Sequence, residues 1–234
     1  MSPADSADPE PEYAPLRLQY SAELDQLRIQ VELMGVRVDE NLERMRELLR
    51  ESSASLATHA VAADDDIDAM NVSLTERCYH VLARETPVAS DLRLVLAVVR
   101  VSGELERIGD LALRVVKLWP DLAAMRLHER SFDILSVMAE QAVERFRTAL
   151  RAWATQDLEL ASELATSRWS MGMLNDQLVE SLMHTTGPDA VPCALKFMTA
   201  GQALDRIADH SALVGVRVRY LITGDPAHLA AEVR

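Results

Sequence analysis

The sequence is poor in the residues that β-sheets and turn-rich folds require. Aromatic residues make up only 4% of its 234 residues, and it contains just 8 glycines and 9 prolines. Alanine, leucine, valine, glutamate and arginine dominate instead, and these residues are typical of helices rather than strands. The composition therefore indicates an all-α protein.

Long apolar runs and paired cysteines are also lacking. The most hydrophobic stretch, residues 92–101, is interrupted by Arg93 and Arg100, whereas a membrane-spanning helix needs roughly 18–20 consecutive apolar residues. Cys78 and Cys193 lie far apart, without the spacing of a zinc site. We therefore expect no membrane span, no disulfide framework and two reduced, buried thiols.

Positive charge is in short supply as well. The chain has 24 Lys and Arg residues against 37 Asp and Glu residues, which gives a formal net charge of −13. Such a chain repels a phosphate backbone, so we expect no direct nucleic-acid binding and look for protein partners or cations. Residues 1–16 are acidic and proline-rich and have neither region of a secretory signal, which predicts a disordered tail.

Six segments show apolar residues at spacings of three and four, and each ends at turn-forming residues. The predicted helices cover about residues 18–50, 53–84, 87–118, 127–153, 156–185 and 189–222. Thr86 and Pro87 predict the start of the third helix as an N-cap followed by proline. Gly224 and the residues after it predict the end of the last helix.

The second half of the chain repeats the first. At a constant offset of 104 residues, Met34 aligns with Met138, and the same offset aligns Asn71 with Asn175. The segment 106–110 aligns with 205–209 at a slightly shorter offset. This internal match predicts two tandem antiparallel three-helix bundles, in repeats spanning residues 17–120 and 121–225, with a short tail at 226–234.

The third helix of each repeat carries two carboxylates four residues apart. These are Glu106 with Asp110 in the first repeat and Asp205 with Asp209 in the second, and each pair lies on one helix face. Two interpretations stay open for this pattern. It could form a solvated acidic face, in which Asp110 pairs with Arg114, or it could bind a cation that prefers oxygen ligands.

The second helix offers Asp64 and Asp68, one turn apart, as less certain contributors to a metal site. His210 is either a further ligand or a structural residue. Catalytic motifs are absent from the sequence: there is no Glu-x-x-His pair, no phosphate-binding glycine loop, no Gly-x-Ser-x-Gly and no Cys/His dyad. We therefore expect no enzyme activity.

Longer motifs carry a family resemblance. The chain reads Asp-x-x-Ile-Asp at 64–68, Pro-Val-Ala-Ser-Asp-Leu-Arg at 87–93, Leu-Glu-Arg-Ile-Gly-Asp-Leu-Ala at 105–112 and Leu-Asp-Arg-Ile-Ala-Asp-His at 204–210. With these motifs, the chain resembles the PhoU family of phosphate-signalling regulators from about Arg17 to Asp225.

The resemblance implies a cytoplasmic regulator built of two three-helix bundles. Its metal-binding motifs would be Glu106 with Asp110 and Asp205 with Asp209, for iron, zinc, magnesium or manganese. Such an adaptor links the ATPase of the phosphate ABC transporter to a sensor histidine kinase, and it represses the phosphate-starvation response when phosphate is sufficient. The resemblance also implies a homodimer or higher oligomer that meets the membrane only through its partners.

The second repeat departs from the family pattern. Where the first repeat has Asp64 and Asp68, the second has Arg168 and Gly172, so its metal site is expected to bind weakly or not at all. Two other functions stay open. One is a metal-binding helical bundle for storage or metal-dependent catalysis, unrelated to signalling, and the other is a transcriptional co-regulator, which the net charge disfavours.

Overall fold

The structure, a computed structural model, describes residues 13–166 and 169–233, and it contains no strand within these ranges. The helices are α1 (Tyr13–Glu51), α2 (Ala54–Arg84), α3 (Ser90–Val116), α4 (Leu122–Met125), α5 (Glu129–Thr155), α6 (Leu158–Thr166), α7 (Trp169–Met183) and α8 (Ala190–Thr223). Short 3-10 segments cover Trp119–Asp121 and Pro226–Val233. The all-α prediction is confirmed.

The long helices follow the predicted segments, with two differences at helix starts. The fifth predicted segment is covered by α6 and α7, and residues 167–168 between them lie outside the described ranges. Helix α3 begins at Ser90, three residues after Pro87, because Ala89 adopts a left-handed φ of 48° that helical backbone does not allow. Residues 1–12 of the predicted tail lie outside the described part, and α1 already begins at Tyr13.

Each repeat forms a three-helix bundle. Helices α1, α2 and α3 pack on one another, and α5 and α8 pack on one another and on α6 and α7. The apolar stripe of α1 supplies much of the first core and is fully buried at the following positions: Leu27, Val31, Met34, Val38, Leu42 and Met45. Burial of this stripe drives the helices together, because a fully buried aliphatic side chain contributes roughly 1.5–3 kcal/mol.

Two antiparallel helix pairs join the bundles. Helix α3 packs on α8, and α1 packs on α5, so α2 and the α6–α7 pair lie on opposite outer sides. On α1 and α5, the indole of Trp153 donates to the carbonyl of Arg28 at 3.4 Å, and Arg147 pairs with Glu43 at 3.0 Å. Because Glu43 and Arg147 are equivalent positions of the two repeats, this ion pair marks a pseudo-twofold axis.

None of the helices in the described ranges combines the length and the hydropathy that crossing a membrane requires.

Replacement of glycine by alanine at two positions in long helices should change the stability in opposite directions. A Cβ at Gly215 on α8 would lie 2.9 Å from the carbonyl oxygen of Ala161 and 2.9 Å from Cβ of Leu164 on α6, whereas one at Gly103 on α3 would meet nothing within 4 Å. We expect Gly215→Ala to lower the free energy of unfolding by about 1–3 kcal/mol, because backbone must shift.

The matched control, Gly103→Ala, should instead raise the free energy of unfolding by up to about 1 kcal/mol, because alanine restricts the unfolded chain. Thermal unfolding followed by circular dichroism measures both variants. Equal shifts in the same direction would contradict the close α6–α8 contact.

Candidate functional site

The predicted carboxylates of the first repeat lie along the seam between α2 and α3. Asp64 is buried, with 8% of its surface exposed, and Glu106 is half-buried, whereas Asp68 and Asp110 are exposed. A Cβ at Gly109 would lie 3.4 Å from Oδ1 of Asp64. The missing side chain at Gly109 therefore lets the Asp64 carboxylate lie directly against α3.

These carboxylates act on one another electrostatically. Burial, reinforced by the charges of Asp110 and Asp68, raises the pKa of Asp64 to about 6, and Lys117 opposes this rise. The pKa of Glu106 is also raised, first by burial and then by Asp110, Asp68 and Asp64. The structure thus brings the four predicted carboxylates of the first repeat into one cluster of like charge, which a bound cation would relieve.

The alternative interpretation of this pattern was a solvated face with an ion pair between Asp110 and Arg114. Within the described residues, no ion pair joins these two side chains, although both are exposed and one turn apart. The cluster therefore has no salt bridge that neutralises Asp110.

The donor chemistry of the first-repeat cluster suits a cation that prefers oxygen. Carboxylates are the ligands that Mg²⁺, Mn²⁺ and iron accept in proteins. In the conformation described, however, no group of three or more His, Cys, Asp or Glu side chains among the described residues is arranged to hold a metal ion. Metal binding would require the exposed Asp68 and Asp110 side chains to turn towards Asp64, and it stays a prediction.

The carboxylate pair of the second repeat has a different environment from that of the first. Asp205 and Asp209 are half-buried on α8, with Ala208 between them in the position that Gly109 has on α3. Of the residues aligned with the α2 carboxylates, Arg168 lies outside the described residues, and Gly172 has no side chain to offer. The acidic support that Asp64 and Asp68 give in the first repeat is missing here.

The guanidinium of Arg145 places a positive charge near the carboxylate pair of the second repeat. Its Nε donates to the carbonyl of Ala208 at 3.3 Å, and its Nη2 donates to the carbonyl of Leu164 at 2.9 Å. The equivalent residue of the first repeat is Asn41, whose Nδ2 makes only the corresponding bond, to the carbonyl of Ala60 at 3.2 Å. The guanidinium of Arg145 thus binds the helix turn that carries the second pair, and metal binding by Asp205 and Asp209 stays a prediction.

Sequence reasoning missed Arg145, although its signal was present. At the offset of 104 residues, Asn41 aligns with Arg145, so a position that is neutral in the first repeat carries a permanent positive charge in the second. What the sequence did not give was the tertiary contact between α5 and the turn of α8 that carries the carboxylates.

His210 has a structural partner. Its Nδ1 lies 2.6 Å from Oε2 of Glu104, and the two side chains are only 14% and 10% exposed. This bond connects α8 to α3 across the junction of the repeats. At the equivalent positions on the other side of the pseudo-twofold axis, the chain has Leu111 and Ala203, so the polar bond occurs once.

Comparison with known proteins gives consistent matches to both repeats. A family model described as the PhoU domain matches residues 31–118 and again 135–218. The phosphate-specific transport system accessory protein PhoU homolog of Pseudomonas putida is 30% identical over 219 residues, covering 92% of this chain and 85% of that protein. The accessory protein PhoU of Serratia marcescens is 27% identical over 217 residues, covering 92% and 89%.

The fold is also that of a solved relative. The crystal structure of PhoU from Pseudomonas aeruginosa superposes with a TM-score of 0.83 at 28% identity, covering 88% of this chain and all of that one. The relatives carry the names of accessory proteins rather than enzymes, in agreement with the lack of catalytic motifs in the sequence.

The raised pKa of Asp64 predicts a pH-dependent stability. Its pKa is about 6 in the folded chain and about 3.9 when unfolded. The folded state therefore loses stability as the pH rises from about 4 through 6, and the loss is complete at pH 7.5. With a chelator present, we expect Asp64→Asn to raise the free energy of unfolding at pH 7.5 by roughly 1–2 kcal/mol.

This gain should shrink towards pH 4.5, where the buried carboxyl is already protonated in the folded chain. Urea unfolding at both pH values measures it. Asp25→Asn, which removes an exposed carboxylate on α1, is the control and should change stability little at either pH. A gain for Asp64→Asn that is independent of pH would contradict the electrostatic account.

Proposed function

Because the chain belongs to the PhoU family, whose domain matches both of its repeats, we propose that it regulates phosphate homeostasis as an accessory protein of a phosphate transport system. In this role it acts in the cytoplasm as an adaptor between the ATPase of the phosphate ABC transporter and a sensor histidine kinase, and it represses the phosphate-starvation response when phosphate is sufficient. The match of both repeats to relatives named for phosphate-specific transport carries this proposal.

The architecture supports an adaptor. Two bundles joined along two antiparallel helix pairs form a body with two outer sides, made by α2 and by α6 with α7. The repeats differ in charge at equivalent positions, because a carboxylate cluster lies on the first and Arg145 lies beside the carboxylates of the second. Such a body can present different surfaces to two partners. Self-association into dimers or larger oligomers and the lack of direct nucleic-acid contact stay predictions.

We further propose that the first repeat is the metal-binding one. Asp64, Asp68, Glu106 and Asp110 would hold the ion, which would neutralise their mutual repulsion and fix α2 against α3. Asp205 and Asp209 would not bind an ion, because the guanidinium of Arg145 already reaches the residue between them.

The regulatory role predicts a clear phenotype. Deletion of the gene should leave a phosphate-responsive reporter active in phosphate-rich medium, because repression is lost, and expression of the intact chain should restore repression. Reporter activity is measured in phosphate-rich and phosphate-poor medium, with an empty vector as the control. A reporter that stays silent in rich medium after deletion would contradict the adaptor role and favour a metal-binding bundle unrelated to signalling.

Metal binding is tested separately with Mn²⁺. We expect added Mn²⁺ to raise the thermal midpoint of the metal-free chain by several degrees, since saturation at 100 times the dissociation constant stabilises the chain by about 2.7 kcal/mol. The shift should disappear in Glu106→Gln/Asp110→Asn and persist in the matched second-repeat variant, Asp205→Asn/Asp209→Asn. No shift in the wild-type chain would remove the metal proposal and leave the adaptor proposal standing.

A further inference from the structure

The exposed face of α3 carries a line of arginines. Arg100, Arg107 and Arg114 are all exposed and stand seven residues apart. A seven-residue step drifts only about 20° around a helix, so the three side chains leave α3 within about 40° of one another. With a rise of about 1.5 Å per residue, they form a straight stripe roughly 21 Å long, which we name the arginine ridge.

The ridge arginines form no salt bridge within the described part of the chain. Other basic residues pair with carboxylates within 4.0 Å, among them Arg37, Arg44, Arg46, Arg147 and Lys196. Across the described part of the chain, no such pair includes Arg100, Arg107 or Arg114. Although the chain has 37 acidic and 24 basic residues, these three aligned cations thus lack a salt bridge, while Glu106 acts on Arg107 at longer range and Asp110 lies on the same side of the helix.

The ridge is not a requirement of the repeated fold. The equivalent positions on α8 are Thr199, Arg206 and Leu213, which include a single cation. Because α8 packs in its bundle as α3 does, the bundle forms without the stripe. The three arginines are thus a feature of the first repeat alone, and packing does not explain them.

Apolar side chains extend the same face towards the start of α3. Leu96 is 47% exposed and Leu92 is 37% exposed, four and eight residues before Arg100. These positions follow the helical repeat, so they continue the ridge by about two turns. Arg93 stands in the same register, seven residues before Arg100, but it is half-buried with its guanidinium close to Gly224. The exposed part of the face is therefore apolar at one end and basic along the rest, and this combination complements an amphipathic helix that carries negative charge.

We propose that the arginine ridge, with Leu92 and Leu96, docks an acidic amphipathic helix of a partner protein. Neighbouring ridge arginines leave the helix about 10.5 Å apart along its axis, so the ridge is an extended line of positive charge. A partner helix with carboxylates seven residues apart repeats with the same spacing. Nucleic acid fits less well, because its phosphate backbone offers no apolar surface to Leu92 and Leu96.

This inference rests on the proposed function for its partners, the transporter ATPase and the sensor kinase. The test measures binding of both purified proteins to the full chain by surface plasmon resonance. In Arg100→Glu/Arg107→Glu/Arg114→Glu, affinity for at least one partner should fall tenfold or more, mainly through slower association, and added salt should weaken the wild-type complex more than the variant complex.

A matched control separates position from total charge. Arg50→Glu/Arg84→Glu/Arg130→Glu reverses three exposed arginines outside α3 and makes the chain equally more negative. It should keep affinity within about threefold of wild type. The charge-conserving Arg100→Lys/Arg107→Lys/Arg114→Lys should also bind. Circular dichroism and thermal unfolding of each variant verify the fold.

The outcomes distinguish the two proposals. If the wild-type chain binds a partner and the ridge variant binds it as tightly as the control does, the docking inference is overturned while the adaptor role stands. If the wild-type chain binds neither partner, the proposed function fails and this inference fails with it. Ridge-dependent binding to phosphatidylglycerol vesicles, with unchanged binding to both proteins, would assign the surface to lipid and overturn the protein-helix proposal.

Discussion

The packing of α3 against α1, α2 and α8 is the constraint on which the other features depend. Three neighbours bury most of this helix, including Ile108 and Gly109, and leave one strip of it free. The contact with α2 brings Asp64 against Gly109, the contact with α8 brings Glu104 against His210, and the free strip carries the arginines. One helix thus takes part in the carboxylate cluster, the junction of the repeats and the proposed docking surface.

Local patterns in the sequence predicted most of the fold because helix formation and stripe burial are local properties. The apolar stripe that contains Met34 and Leu42 predicted both helix α1 and its buried face. The predicted start of α3 was wrong. The Thr86-Pro87 pattern is typical of a helix start, but it gives no information on the positive φ of Ala89.

The candidate site was predicted in part, for a related reason. Spacing along one helix placed Glu106 and Asp110 on a common face, and the one-turn spacing of Asp64 and Asp68 offered both as contributors from the second helix. Contacts between distant segments depend on the axial register of one helix against another. The spacing of residues within one helix does not determine this register. The bond of Arg145 to Ala208 and that of Glu104 to His210 each join residues from separate helices, and neither was predicted.

The ion pair between Glu43 and Arg147 on the pseudo-twofold axis affects which repeats can associate. A symmetric dimer of two first repeats would bring two Glu43 carboxylates together at this axis, and a dimer of two second repeats would oppose two guanidiniums. Only a first repeat facing a second repeat places opposite charges there. The divergence of this single position after duplication therefore favours pairing of unlike repeats and disfavours assemblies in which two like repeats from different chains face each other at this axis.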